Sequence, residues 1–471
     1  MRIEIKRLAE RYLPEKLARK AEPLAATADA VLSGTDDNAR AQRMAMIIFV
    51  IRVASAIIAF VSQVMLARWL GTFEYGIFVA VWVVALFAGN ITGVGFPSAV
   101  IRLISEYRAQ ELPGLLRGSI RVSVLVSLVV TTLFSLAAAA LLYFYPGVVK
   151  AYYIAPAYLA LICLPALSLE GVMDGVGRAF NWTYVAFFPT FIMRPLGILV
   201  VMWIAILAGF EANAITAMWA GIISTSVTTI YQCVAAFSKL PGEVPKVRSE
   251  YRYGYWVAIA LPMFLVEGFY ILQTSIDIIF VSALMTPEDT AVYYASTKIL
   301  ALVHFVYFAV RGAVSHRYST FHQQGDRVAF QNFVQRTVAW TFWPSLLLAG
   351  LMMVLGKYFL MLFGSEFTSG EYLIWILAIG IVLRSSVGPA ESLLVMAGGQ
   401  NACASIYALN VLVNIMLNFS LIPLFGLAGA AIATTSALAF ESLALHALAK
   451  RKLGIHVFII PQRSTPAGNA A

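Results

Sequence analysis

Charge is the first thing this chain is short of. Asp, Glu, Lys and Arg make up 12% of its 471 residues, against about a quarter in a soluble globular domain. With 61% hydrophobic residues and a mean hydropathy of +0.82, that deficit excludes a soluble enzyme or binding module and leaves a polytopic membrane protein. Cysteine is scarce too. Cys163, Cys233 and Cys403 stand singly in apolar runs, with no Cys-x-x-Cys and no Cys/His cluster, so neither a metal centre nor a disulfide framework is signalled. No Gly-x-x-x-x-Gly-Lys-Ser/Thr loop occurs, which argues against direct drive by nucleotide hydrolysis. Long loops are missing as well: the longest turn on the sparsely charged side is about 16 residues (356–371), too short for a catalytic domain. The expectation is a protein that is not an enzyme and carries no cofactor beyond a coupling ion.

The formal net charge is +9. Its excess lies in loops that alternate along the chain, which is the positive-inside pattern of a cytoplasmic membrane protein and not a nucleic-acid face. The basic side holds the N-terminal tail, Arg102/Arg108/Arg117, Arg178, Lys239/Lys246/Arg248/Arg252, Arg317/Arg327/Arg336 and Lys450/Arg451/Lys452; the opposite turns hold little beyond Arg68, Lys150 and Lys357.

Twelve stretches are long enough to span as helices of about 20 residues: 44–67, 76–97, 120–144, 153–174, 183–208, 214–237, 256–281, 291–314, 337–361, 372–396, 403–423 and 427–449. An even number places both termini on the basic, cytoplasmic side. The expected fold is an all-α membrane protein of about 12 transmembrane helices. It divides into a basic tail (1–43), a six-helix bundle (44–238), a cytoplasmic linker (239–255), a second six-helix bundle (256–450) and a C-terminal tail (451–471). Residues 2–20 suit either a short helix on an anionic membrane surface or a solvated tail. No uninterrupted apolar run precedes residue 44, so a cleaved signal peptide is not expected.

The hairpin 256–311 carries Glu267, Asp277, Lys298, His304 and Arg311 inside two apolar runs. Ionisable residues at bilayer depth cost at least about 2.5 kcal/mol each and usually mark a pathway or pair with one another. Glu267, Tyr270, Gln273, Thr274 and Asp277 fall in one sector of roughly 120° on a helix. His304, Tyr307 and Arg311 share a face of the next. Asp277 and Lys298 both lie toward the turn, where they either neutralise one another or serve a substrate.

Residues 52–108 and 267–323 have the same plan, a polar-striped span, a turn, a second span and a basic exit, at an offset near 215 residues. The offset sets Arg52 opposite Glu267, and Asn90 close to His304. Six spans per half make the halves parallel repeats, with a site expected between them at the midplane. An Arg52–Glu267 pair would either hold the halves together or release Glu267 to take up a proton when a substrate claims Arg52.

The runs LARWLGTFEYGIF (66–78), GVGFPSAVIRLISEY (93–107) and LNVLVNIMLNFSLIPLFGLAGAAIATTSA (409–437) resemble the bacterial polysaccharide-biosynthesis flippases of the multidrug/oligosaccharidyl-lipid/polysaccharide exporter superfamily. The resemblance covers about residues 44–455 and leaves out the basic tail. It implies two pseudo-symmetric six-helix bundles and alternating access. Where members of that family often carry a basic residue after the acid matching Asp277, this chain has Ile278.

The row Asn410, Asn414, Asn418 would line a cavity or bond between helices. Glu170 and Asp174 read as an interfacial pair, whereas Arg194 (before Pro195) and Arg384 (near Gly388 and Pro389) sit near mid-bilayer at helix breaks. Arg52, Arg194, Arg384 and Lys298, with His304, stand against Glu267 alone. A cationic cavity suits a phosphate, and the 21 Tyr and 9 Trp suit sugars, although interfacial belts use many of them.

The expectation is therefore a flippase for a polyprenyl-pyrophosphate-linked oligosaccharide in the bacterial inner membrane. Arg52, Asn90, Arg194, Lys298, His304 and Arg384 would line its cavity, and Glu267 and Asp277 would couple H+ or Na+. Its expected partners are membrane lipids, the lipid-linked glycan, and the glycan polymerase and glycosyltransferases of the same pathway. A lipid II flippase and a cation-coupled multidrug exporter are the alternatives. A membrane glycosyltransferase or polymerase is disfavoured, because the cytoplasmic loops lack a metal-binding Asp/Glu cluster.

Overall fold

The computed structural model describes residues 37–324 and 326–460, without the side chains of 37–52, 266, 270, 315, 316, 319, 320 and 322–324. The basic tail therefore lies almost wholly outside the described residues. Every regular element in the described chain is helical: α1 (Asp37–Thr92), α2 (Phe96–Ala109), α3 (Pro113–Phe144), α4 (Ala151–Ala179), α5 (Arg194–Leu207), α6 (Ala214–Glu243), α7 (Tyr253–Leu284), α8 (Pro287–Gln324), α9 (Arg327–Phe363), α10 (Glu371–Ser385), α11 (Ala390–Met396), α12 (Gln400–Phe425) and α13 (Leu427–Leu453). Within the described residues the packed helical bundle runs from Phe60 onward.

The chain is a multi-pass membrane protein. Ten described helical stretches are long and apolar enough to cross a membrane, and α7, bent by 45°, makes an eleventh. The twelfth is hidden in Val53–Thr92, which is 40 residues long, about twice a span. Gly71 breaks it with φ 73° and ψ 173°, a conformation open to glycine and costly for a residue with a Cβ. The Tyr75 hydroxyl bonds to Gln63 Oε1 at 2.9 Å, although twelve residues of straight helix would hold them about 18 Å apart. The chain therefore turns back at Gly71, giving the two spans expected at 44–67 and 76–97.

Elsewhere the boundaries follow local chemistry. Asn213 caps α6 by accepting from Thr216 N at 2.9 Å, and Asp326 caps α9 by accepting from Val328 N and Ala329 N at 3.0 Å each. Proline stands in the first turn of α2 and α3, where its missing N–H costs nothing.

Among the described residues, α2 packs on α3 and α4, α4 on α6, and α5 on α6, while α8–α13 pack on one another and on α7. The α2–α7 contact crosses between the two sets. One end of the molecule carries Gly71, the turns 145–150 and 208–213, Met285, Gly364 and Gly426; the other carries 110–112, 180–182, 244–252 and 397–399.

The repeat is visible in the packing. Ser119, Ser123, Ser127, Thr131 and Ser135 form a buried row on α3, and Thr337, Thr341 and Ser345 form one on α9, displaced by the same offset near 215.

Candidate functional site

Arg384 ends α10 just before the chain breaks at Ser386–Pro389, where Gly388 takes φ 54°. The arginine residue has 9% exposure, so each donor needs an acceptor. Nε donates to Glu441 Oε1 at 2.7 Å, Nη1 to the Gly388 carbonyl at 3.2 Å and Nη2 to the Tyr307 hydroxyl at 3.2 Å. Glu391 Oε2 lies 3.9 Å away, and the Tyr307 ring packs under the cation, 4.9 Å from its centroid.

The carboxylates are tied in turn. Glu441 Oε2 accepts from Gln273 Nε2 at 2.6 Å and from Asn410 Nδ2 at 3.4 Å. Glu391 accepts from Tyr307 at 3.1 Å and pairs with Arg311 at 3.2 Å. Two arginines and two glutamates from α8, α10, α11 and α13 thus join in one network, buried at Arg384 and Glu441 and open at Arg311.

In the first half, Arg194 opens α5 directly after a π-helical turn, Pro189–Met193. Pro195 has no N–H for the preceding turn, and widening the helix there is the usual response. Arg194 Nη1 donates to Glu170 Oε2 at 2.7 Å, with side-chain exposures of 16% and 4%. Ser224 donates to the Arg194 carbonyl at 2.8 Å, and Gly197 is packed so closely against Ser224 that a Cβ would collide with its hydroxyl. The other Glu170 oxygen, Oε1, is buried without a partner, as is Asp174 Oδ1. Glu170 and Asp174 are therefore not an interfacial pair: Asp174 pairs with Arg178, and Glu170 turns inward to Arg194.

The polar stripe of α7 does not face one cavity. Glu267 accepts from Ser98 on α2, Gln273 reaches Glu441 on α13, and Asp277 accepts from Tyr293 on α8 at 2.9 Å and from Thr434 on α13 at 3.1 Å. A sector of roughly 120° touches several neighbouring helices, so the stripe is divided among them. Among the described residues Asp277 and Lys298 make no direct ion pair, although the Lys298 charge acts on the Asp277 carboxylate. Two hydroxyls donate to the carboxylate, while the Lys298 ammonium lies 4.5 Å from the Tyr294 ring centroid.

Asn90 is exposed and donates to the Leu86 carbonyl at 2.7 Å. His304 is half-buried on α8. The expected Arg52–Glu267 pair falls outside the described residues, since the Arg52 side chain is not described. Asn410, Asn414 and Asn418 are buried to 2% exposure or less: Asn410 makes the interhelical bond to Glu441, and Asn418 donates to the Asn414 carbonyl at 3.0 Å.

The cationic surplus is thus smaller than residue counting implies, because Glu170, Glu391 and Glu441 stand beside Glu267. Glu441 had a sequence signal, a lone acid in the apolar run 427–449. Glu391 had a weaker one, two residues past Pro389.

The family model described as "Polysaccharide biosynthesis protein" matches residues 42–315. The "Probable low-salt glycan biosynthesis flippase Agl15" of Haloferax volcanii is 23% identical over 249 residues, 51% of this chain and 49% of that protein. The chain thus matches about half the length of that relative. Among solved structures, the lipid II flippase MurJ in its inward closed conformation superposes with a TM-score of 0.67 at 15% identity, covering 86% of this chain and 87% of that one. An inward-facing multidrug resistance MATE family transporter of the MOP superfamily superposes with 0.69 at 14% identity, covering 85% and 94%. The fold is that of these exporters.

Proposed function

The chain belongs to the polysaccharide biosynthesis protein family, and from that premise we propose that it flips a polyprenyl-pyrophosphate-linked oligosaccharide from the cytoplasmic to the outer leaflet of a bacterial inner membrane, both termini being cytoplasmic. The observation that carries the reading is Arg194, a guanidinium at a helix break inside a span, held by a carboxylate whose second oxygen has no partner. A phosphate offers that guanidinium two acceptors in its own planar geometry. Arg384, the guanidinium at the helix break of the second half, is fixed by its network as a wall of the same proposed surface. Lys298, His304 and Asn90 complete the proposed substrate surface, with Arg52 a further candidate from the sequence alone.

Coupling follows from competition. A phosphate that claims Arg194 takes the cation away from Glu170, which links the state of that pair to cargo. Glu267 and Asp277 remain coupling candidates of the same kind, for H+ or Na+. The proposed partners are membrane lipids, the lipid-linked glycan, and the polymerase and glycosyltransferases that act on it.

The test is reconstitution of the full chain in liposomes carrying a polyprenyl-pyrophosphate oligosaccharide, with translocation read as access of an external glycosidase to the sugar. Translocation is expected in the wild type and reduced at least about tenfold in Arg194→Ala, since a charge-assisted bond is worth roughly 1.5–3 kcal/mol; Arg194→Lys restores part of it. Liposomes that leave this lipid in place but move lipid II, or expel a cationic dye, would overturn the reading in favour of the corresponding alternative.

A further inference from the structure

Two cations stand on the side of the chain that is otherwise nearly free of them, and both reach from the first half to the second. Arg68 Nε donates to the Leu362 carbonyl at 2.6 Å and Nη2 to the Met361 carbonyl at 2.9 Å. These are last-turn carbonyls of α9, which lack partners within the helix. Lys150 Nζ donates to the Met285 carbonyl at 2.8 Å, at the C-cap of α7. Each cation therefore closes the negative end of a helix belonging to the other half.

Further contacts lie at the same end. Thr72 Oγ1 donates to Glu366 Oε2 at 2.7 Å. Gly76 abuts the Pro287 carbonyl so tightly that a Cβ would overlap it. Tyr75, with 0% exposure, packs edge-on against Tyr294 at 6.3 Å and Phe367 at 6.0 Å.

We propose that Arg68 and Lys150 form a latch that holds the two halves shut at the outer end, and that opening outward requires both helix ends to be released. This explains why two of the few basic residues on the outer side are kept there against the positive-inside bias. It rests on the reading of the chain as an alternating-access flippase.

The test uses the full chain in nanodiscs, where reagent reaches both faces. The three cysteines are replaced (Cys163→Ala, Cys233→Ala, Cys403→Ala), and Thr290→Cys places a reporter at a position with 0% exposure, close to Met285 and Pro287. The rate of maleimide labelling is expected to rise about threefold to tenfold in Arg68→Ala/Lys150→Ala, as the loss of two charge–helix contacts implies. Arg68→Lys, keeping the charge but not the paired donors, should fall between. If the double alanine variant does not yield monodisperse protein, Arg68→Lys with Thr72→Ala is read in the same way.

An unchanged rate in folded protein overturns the latch. Labelling reads the interface whether or not a glycan is moved. Faster labelling without glycan translocation sinks the transport reading and keeps the latch, whereas unchanged labelling with intact translocation sinks the latch alone.

Discussion

The two halves place a buried ion pair at the same point of the repeat and build it in opposite senses. At the offset near 215, Glu170 of α4 falls within one residue of Arg384 of α10. In the first half the fourth span supplies the acid and α5 supplies Arg194; in the second, the corresponding span supplies the arginine and α13 supplies Glu441. The fold asks for a charge at that position and is indifferent to its sign. The surroundings differ more than the sign does. Arg384 has Glu441, Gly388, Tyr307 and Glu391 around it, whereas Arg194 is held by one carboxylate, and Glu170 Oε1 is unmet. The first half thus holds its arginine loosely enough to surrender it, while the second uses its arginine to tie helices together.

The sharpest way to break this contrast is Glu441→Ala. It leaves Arg384 with a distant Glu391 and takes the acceptor from Gln273 and Asn410, so the expected loss is about 3–5 kcal/mol, read as a lowered Tm of the purified protein. Next in size is the charge swap in the second half, Arg384→Glu with Glu441→Arg. It should remain destabilised by roughly 2–4 kcal/mol, because a carboxylate at 384 would face the Gly388 carbonyl and Glu391. The equivalent swap in the first half, Glu170→Arg with Arg194→Glu, should melt near the wild type while losing transport. Equal melting behaviour of the two swaps would dissolve the distinction between a labile and a structural pair.

Glu170→Gln alone should cost only about 1–3 kcal/mol, yet it should slow translocation by more than that loss of stability explains; an unchanged translocation rate removes Glu170 from the site. Smallest is Lys298→Met, which deletes a cation–aromatic contact worth about 0.5–1 kcal/mol at a partly exposed site. Its effect should appear in transport of the pyrophosphate lipid more than in Tm. A loss of stability as large as that of Glu441→Ala would mean that Lys298 belongs to the framework.

Much of the fold was legible because spans announce themselves by length and apolarity, and helix breaks by proline and glycine. Arg194 and Arg384 stood out on that basis alone. Their partners did not, because Glu170–Arg194 and Arg384–Glu441 join different helices 24 and 57 residues apart, and one sequence carries no record of which helix faces which. Asp277 and Lys298 were left open by the sequence, as a neutralising pair or as substrate ligands; the hydroxyls that Asp277 accepts from stand on α8 and α13, which depth in the bilayer does not reveal. The first span boundary was legible from the Leu-Gly-x-x-x-Tyr-Gly turn, although the backbone carries helix up to and beyond Gly71.

The hydroxyl rows of α3 and α9 have a mechanical consequence. Ser119 and Ser123 donate to the carbonyls of Leu116 and Ser119 at 2.8 Å each, and Thr337 and Thr341 to those of Val334 and Thr337 at 2.7 and 2.9 Å. Bonded largely to their own backbone, these groups leave the seam small in profile and with few cross-ties, among them Thr131 to Thr92 at 2.9 Å and Thr337 with the Tyr318 hydroxyl at 2.7 Å. A seam of that kind offers little friction: one helix can slip against its neighbour by a fraction of a turn while breaking few bonds. Each half would then flex as a compliant body along its third span, storing little elastic energy as it changes shape around a bulky cargo.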